Sequence, residues 1–179
     1  MGGYSPGSES AQGRQWIEAL GRHHDRAGFE SGVPALDAYL KKQAGQDARR
    51  YAAAPFVLCE GEGVAVLGYY TLSALSIHTG ELPEETARKL PRYPLLSAVL
   101  IGRLAVDRRR RGERLGEFLL MDALYRSWRQ AHEIGAVAVV VEAKDEPARR
   151  FYEAYDFRIF PQQPGRLFLP MARVERLFA

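Results

Sequence analysis

The stretch "VDRRRRGERLGEFLL", residues 106–120, decides the fold. In front of it, "LLSAVLIGRLAV" (95–106) is apolar enough for a strand buried on both faces over much of its length. Behind it, Leu115 to Glu133 reads as an amphipathic helix. Leu120, Leu124, Ser127, Trp128 and Ala131 share one face, and Asp122, Arg126, Arg129 and Glu133 are expected on the other. The first amides of a helix have no intrahelical partner and carry partial positive charge. A glycine-containing lead-in lets such N–H groups converge on an anion, and arginine forks match phosphate oxygens. The junction therefore suits a phosphate or pyrophosphate; a solvated charge run beside a helix start is the alternative. The spacing of Gly112 and Gly116, with no Lys-Ser/Thr after them, excludes a P-loop, and no G-x-G-x-x-G is present.

Working outward, "AVAVVVEA" (136–143) is a second buried strand, and Gly135 closes the helix before it. Strand, helix and strand in succession imply parallel pairing with a right-handed crossover. Asp145-Glu146-Pro147 opens a further helix carrying Phe151, Tyr152 and Tyr155 on one face, with Asp145 as its N-cap. "FRIF" and "RLFLPMARV" are expected as two strands. Upstream, two β-rich runs flank Gly61-Glu62-Gly63, a hairpin signal. "FESGVPALDAYLKKQAGQDARR" gives a helix that Ser31 would cap and Pro34 would enter. Arg14–Arg22 is either a short helix or an irregular strand, and a helical turn is expected within 84–90. The fold class is α/β: one mixed sheet with helices on both faces, in a single domain over 13–179. Residues 1–12 are Gly/Ser-rich and expected to be disordered.

The chain has 179 residues, a size that supports a full hydrophobic core. A net charge of +3 permits an anionic partner without requiring one. The lone cysteine, Cys59, rules out an internal disulfide and sits in an apolar run, as a buried structural thiol would. His23, His24, His78 and His132 lack partners at zinc-site spacings, so no metal site is expected. No apolar run is long enough to span a bilayer, the N-terminus has no signal-peptide core, and Pro6 breaks the myristoylation pattern. A cytoplasmic protein is expected.

At the junction the sequence resembles the GNAT acyltransferase superfamily, whose pyrophosphate turn has the pattern Q/R-x-x-G-x-G/A. Arg111-Gly112-Glu113-Arg114-Leu115-Gly116 matches its first and last positions, with Arg114 at the middle glycine. The surrounding order of strand, helix, strand and a helix with a Phe-Tyr pair is also similar, with Asp156 where the family usually has glycine. Together, "FESGVPALDAYLKKQAGQDARR", "LGYYTLSALSI", "LPRYPLLSAVLIGRLAVDRR" and "DEPARRFYEAYDF" resemble the acetyltransferase toxins of type II toxin–antitoxin modules.

That resemblance implies acetyl-CoA as cosubstrate and the α-amino group of an aminoacyl-tRNA as acceptor. It also implies a ribbon-helix-helix antitoxin as partner and a homodimer, the common state of the subgroup. It implies that Leu104, Ala105 and Val106 hold the pantetheine arm and carbonyl through their backbone. Arg111 to Gly116 would hold the pyrophosphate, and the region of Asp145 would touch the pantetheine arm. Tyr152 would be the general acid, since a neutral phenol can hand a proton to the departing thiolate; packing alone is the plainer reading of a helix-face aromatic. Arg108, Arg149 and Arg150 are candidates for tRNA phosphates or for solvated surface. Glu60, Glu62 and Glu142 are available carboxylates, but nothing selects one as a base. Two other functions remain open at this point: a GNAT enzyme acting on a small amine or a protein N-terminus, and a non-catalytic module binding CoA or RNA.

Overall fold

The computed structural model describes residues 13–179; the expectation for residues 1–12 lies outside them. The chain forms a mixed seven-stranded sheet of order β1-β2-β3-β4-β5-β7-β6. The strands are β1 (Gln15–Ala19), β2 (Ala54–Glu60), β3 (Gly68–His78), β4 (Leu95–Val106), β5 (Ala138–Glu142), β6 (Arg158–Phe160) and β7 (Gln163–Pro170). The helices are α1 (Pro34–Ala38), α2 (Ala44–Arg49), α3 (Glu84–Ala87), α4 (Leu115–Ile134), α5 (Glu146–Glu153) and α6 (Met171–Phe178). None of them is long and apolar enough to cross a membrane. Contacts group the chain into two compact units. One holds the chain up to Ser73 with Gly102–Tyr125, and the other holds Ala74–Ile101 with Arg126–Ala179.

In the first unit, β1 and β3 flank β2 in antiparallel register, Ile17 opposite Leu58 and Phe56 opposite Tyr70. The 14–22 segment is thus a strand. Phe29, Tyr39, Leu40, Val57, Cys59, Val66, Tyr69 and Ala105 form its core. The expected helix over this region is not continuous: α1 and α2 are separated by a π-helical stretch, Tyr39–Gln43. Nor is Ser31 its cap. Val33 occupies that position, and the Ser31 hydroxyl instead donates to Asp37 at 2.6 Å. Pro34 does enter the first turn.

Asp122 departs from the amphipathic reading of α4. It is fully buried, and the Tyr70 hydroxyl donates to it at 2.6 Å. The buried carboxyl is tolerated inside because one of its oxygens receives a hydrogen bond from a neighbour 52 residues away in sequence. Periodicity on one helix cannot reveal such a partner.

In the second unit, β4 and β5 run parallel, Val99 opposite Val139, and β5 pairs antiparallel with β7. Ile77, Leu96, Val140, Phe160 and Phe168 pack together there. The expected strand through "MARV" is wrong: β7 ends at Pro170 and α6 follows. Pro170 lacks an N–H to continue the ladder but has the extended geometry a helix start accepts. Gly135, at φ +74°, ends α4 as expected.

The end of β4 is pinned in the first unit by Asp107, only 1 % exposed. Its carboxylate accepts from the Glu30 amide at 3.2 Å, the Arg109 amide at 3.0 Å, and Arg109 Nε and an Arg109 terminal nitrogen at 2.8 and 2.7 Å. Its own amide donates to Leu67 O at 2.8 Å, and the next amide, of Arg108, donates to Glu30 O at 2.8 Å. The Arg109 side chain, with lesser help from these amides, holds the Asp107 carboxyl down to about 2. A carboxyl lowered on folding contributes stability above its unfolded value, which is lost as pH falls from about 4 to about 2. Asp107→Asn should therefore cost roughly 1–2 kcal/mol at pH 6, discounted for the exposed Arg109, and flatten the acid limb. Urea unfolding at pH 6 and pH 3 checks this; equal losses at both pH values would contradict it.

Candidate active site

The arginine run resolves into separate tasks. Arg108 pairs with Glu30 at 2.9 Å. Arg109 is held by Asp107 and also donates to Gly28 O at 2.8 Å. Arg110 bonds both Glu60 oxygens, at 3.0 and 3.1 Å, and reaches Glu113. Arg114 pairs with Glu117 at 2.7 Å. Arg111 differs: among the described residues its guanidinium meets no carboxylate, and one nitrogen donates to Ser31 O at 3.0 Å. The densest charge in the sequence is thus largely neutralised within the first unit. Arg111 alone among residues 108–111 keeps an uncompensated charge, at the first position of the family pattern.

The backbone after Arg111 has the form an anion cradle needs. Gly112 sits at φ +85° with no atom within 4 Å of where a Cβ would lie. Arg114, at the position where the family has glycine, adopts φ +59°, the left-handed region that glycine enters freely. Its side chain is 80 % exposed and turns to Glu117, so the substitution leaves the backbone course intact without filling the turn. Its carbonyl accepts from Phe118, starting α4, while Leu115 packs inward and Gly116 lies in the first helical turn. The early amides of α4 thus lack intrahelical partners next to two positive-φ residues.

Along β4, Ala105 belongs to the first unit's core, with Leu104 and Val106 half-buried. Gly68 on β3 makes the close approach here: a Cβ on it would lie 3.1 Å from Ala105 O and 2.8 Å from a Leu119 methyl. Among the described residues the parallel ladder joins Val99–Ile101 to Val139–Val141 and does not extend along Leu104–Val106.

In the second unit, Asp145 caps α5 as the sequence suggested, accepting from the Ala148 amide at 2.9 Å. One of its carboxylate oxygens is thereby engaged in capping. Tyr152 is 7 % exposed, between Phe151 and Phe157 at ring separations of 5.2 and 5.5 Å. Burial pushes its phenol well above the ordinary value, so the hydroxyl stays protonated. No group among the described residues hydrogen-bonds to it. Packing thus fixes the ring with its hydroxyl protonated. Asp156, at φ +70°, turns the chain after α5 and pairs with Arg173 at 3.3 Å. Arg149 and Arg150 pair along the helix with Glu146 at 3.4 and 3.5 Å.

Other candidates drop out. Arg110 holds the Glu60 carboxyl below the usual range, an ion-pair member rather than a base. Burial raises the Cys59 thiol to about 11, which suits a structural role. One cluster was missed in the sequence: Glu18, His23 and His24 place their ligand atoms within 4.8 Å of one another. However, the Gly21 amide donates to His24 Nδ1 at 2.8 Å, so Nε2 carries the proton and donates to Glu18 at 2.7 Å. A metal would need the lone pair that this tautomer lacks at Nε2. The cluster locks a turn.

No family model matches the chain. It is 38% identical over 147 residues to a "tRNA-acetylating toxin" of Mycobacterium tuberculosis, covering 82% of this chain and 86% of that protein. It is 32% identical over 161 residues to a "probable toxin TacT" of Sinorhizobium fredii, covering 86% and 89%. Among solved structures it is similar to a Tyr-to-Phe variant of KacT, with TM-score 0.85, 30% identity, and 92% and 99% of the two chains covered. AtaT complexed with acetyl-methionyl-tRNAfMet is as similar in fold, with TM-score 0.85, 29% identity and the same coverage. With these relatives, the chain belongs to the GNAT-fold acetyltransferase toxins of type II toxin–antitoxin modules.

Proposed function

We propose that the protein moves an acetyl group from acetyl-CoA to the α-amino group of an aminoacyl-tRNA and so acts as a translation-blocking toxin. The carrying observation is the match over 86% of a tRNA-acetylating toxin. A solved AtaT structure with antitoxin AtaR and acetyl-CoA supports the cosubstrate and the kind of partner. Residues 13–179 act as one acetyltransferase domain in the cytoplasm, as a homodimer, held in check by a ribbon-helix-helix antitoxin. Arg149 and Arg150, which share Glu146 at 3.4 and 3.5 Å, would exchange that pairing for tRNA phosphates.

In the reaction, the neutral amine attacks the thioester carbonyl carbon, forming the C–N bond. The C–S bond then breaks and the CoA sulfur leaves with the electron pair. The amine sheds one proton to water, Tyr152 gives one proton to the sulfur, and a proton from water restores the Tyr152 hydroxyl. Arg111 and the amides of Gly112–Gly116 receive the pyrophosphate, the backbone of Leu104–Val106 receives the pantetheine arm, and the chain near Asp145 contacts that arm through its main chain. An aminoacyl ester lowers its amine's pKa, so no dedicated base is needed.

Arg111→Glu should weaken acetyl-CoA binding, less so as salt rises, because exposed charges are screened over about 8–10 Å at physiological ionic strength. Calorimetry at two salt concentrations measures it, and an unchanged affinity removes Arg111 from the site. Tyr152→Phe keeps the ring and deletes the proton donor. Turnover on charged tRNA should drop by roughly 10²–10⁴-fold. Melting temperature and acetyl-CoA affinity should hold, and growth arrest on expression should vanish. Near wild-type turnover would show that Tyr152 only packs.

A further inference from the structure

Six arginines lie between Gly102 and Gly116 in the first unit. Four of them, Arg108, Arg109, Arg110 and Arg114, are neutralised by carboxylates at close range. Arg111 is accounted for by the pyrophosphate turn. Arg103 remains. It is half-buried on β4, one residue before the Leu104–Val106 segment, and no carboxylate among the described residues comes within salt-bridge distance of it.

Its place is instead fixed by an aromatic platform. The guanidinium carbon lies 3.5 Å from the centre of the Tyr39 ring. Tyr39 is held from behind: its hydroxyl donates to Asp47 at 2.8 Å, and Gln43 secures the other Asp47 oxygen at 2.8 Å. Tyr39 stacks on buried Tyr69 at 6.3 Å, and the Tyr69 hydroxyl donates to Leu36 O at 2.7 Å. Phe29 meets Tyr69 edge-on. The π-helical stretch Tyr39–Gln43 supplies both the ring and the Gln43 brace. A planar cation laid on a ring that cannot move has already lost its rotamer freedom, while its N–H donors stay available. None of its nitrogens is buried without a partner, so the donors face solvent and are free to meet a ligand.

We infer that Arg103 is a positioning residue for the acceptor, taking a phosphate at the 3′ end of the aminoacyl-tRNA; the inference rests on the function proposed above. Arg103 lies at most three residues, about 10 Å along the strand, from Val106. An anion held there belongs to whichever substrate brings its reacting group to that segment. The acetyl-CoA pyrophosphate already has Arg111 and the turn at the start of α4. The other polyanion in the reaction is the tRNA, and its terminal phosphates are the charges nearest to the attacking amine.

Steady-state kinetics of Arg103→Met with acetyl-CoA and charged total tRNA test this. KM for charged tRNA should rise about tenfold or more, with kcat within about threefold and acetyl-CoA affinity within about twofold. The log–log salt dependence of tRNA binding should lose about one unit of slope, as for one phosphate contact removed. Arg103→Lys, which keeps the charge over Tyr39 but not the fork, should recover part of the KM. It also serves as the test variant if Arg103→Met does not fold, reading the same KM rise in smaller measure. A loss in kcat alone, a weakened acetyl-CoA affinity or an unchanged salt slope each overturns the assignment. A wild-type enzyme that leaves charged tRNA unacetylated overturns the functional reading itself; a wild type that acetylates it alongside unaffected variants overturns only the role of Arg103.

Discussion

The carboxylate of Asp107 is the constraint on which the first unit's ligand-facing parts depend. It closes β4, starts the turn that carries the arginines and ties both to the segment around Glu30. Because it gathers amides and a guanidinium from two stretches of chain, the turn enters α4 at a fixed angle. Arg110 repeats the arrangement with opposite sign, one cation between Glu60 and Glu113. What looks in sequence like a block of free positive charge is a set of crosslinks. Their work is to orient backbone N–H groups and to leave the Arg111 charge uncompensated at the surface.

Much of this could be read from the residues. β4 runs over 95–106, the bounds its apolar run predicts, and α4 and the Asp145-capped α5 lie where their periodicity and cap place them. Long elements with many repeats of one pattern are robust to any single residue. α6 was hidden because the apolar character of Leu167–Leu169 continues past Pro170 into Met171 and Ala172, and a short run does not distinguish helix from strand. The departure at α1–α2 has another origin: the π-helical stretch answers to aromatic packing at Tyr39, which local propensity does not encode.

The candidate site was legible where it resembles a known pattern and opaque where it depends on partners distant in sequence. Arg111, Gly112 and Tyr152 were named from motif positions. Arg103 was not, since a single arginine in an apolar strand carries no signal until Tyr39 is seen beneath it. The Glu18–His24 contact was missed for the same reason, and its hydrogen-bond directions then decide against a metal there.

Arg114 has a consequence for the freedom of the turn it occupies. A non-glycine residue in the left-handed region costs about 1–2 kcal/mol of strain. It also removes conformations that glycine would leave open to the unfolded chain, an offset of about 0.4–1 kcal/mol. The strain is the larger of the two, so the exchange of glycine for arginine carries a net cost in stability that the offset only reduces. Its effect falls on flexibility: where a glycine turn gives up its freedom on contact with phosphate, this turn has given it up on folding. Less ordering is then left for the binding step.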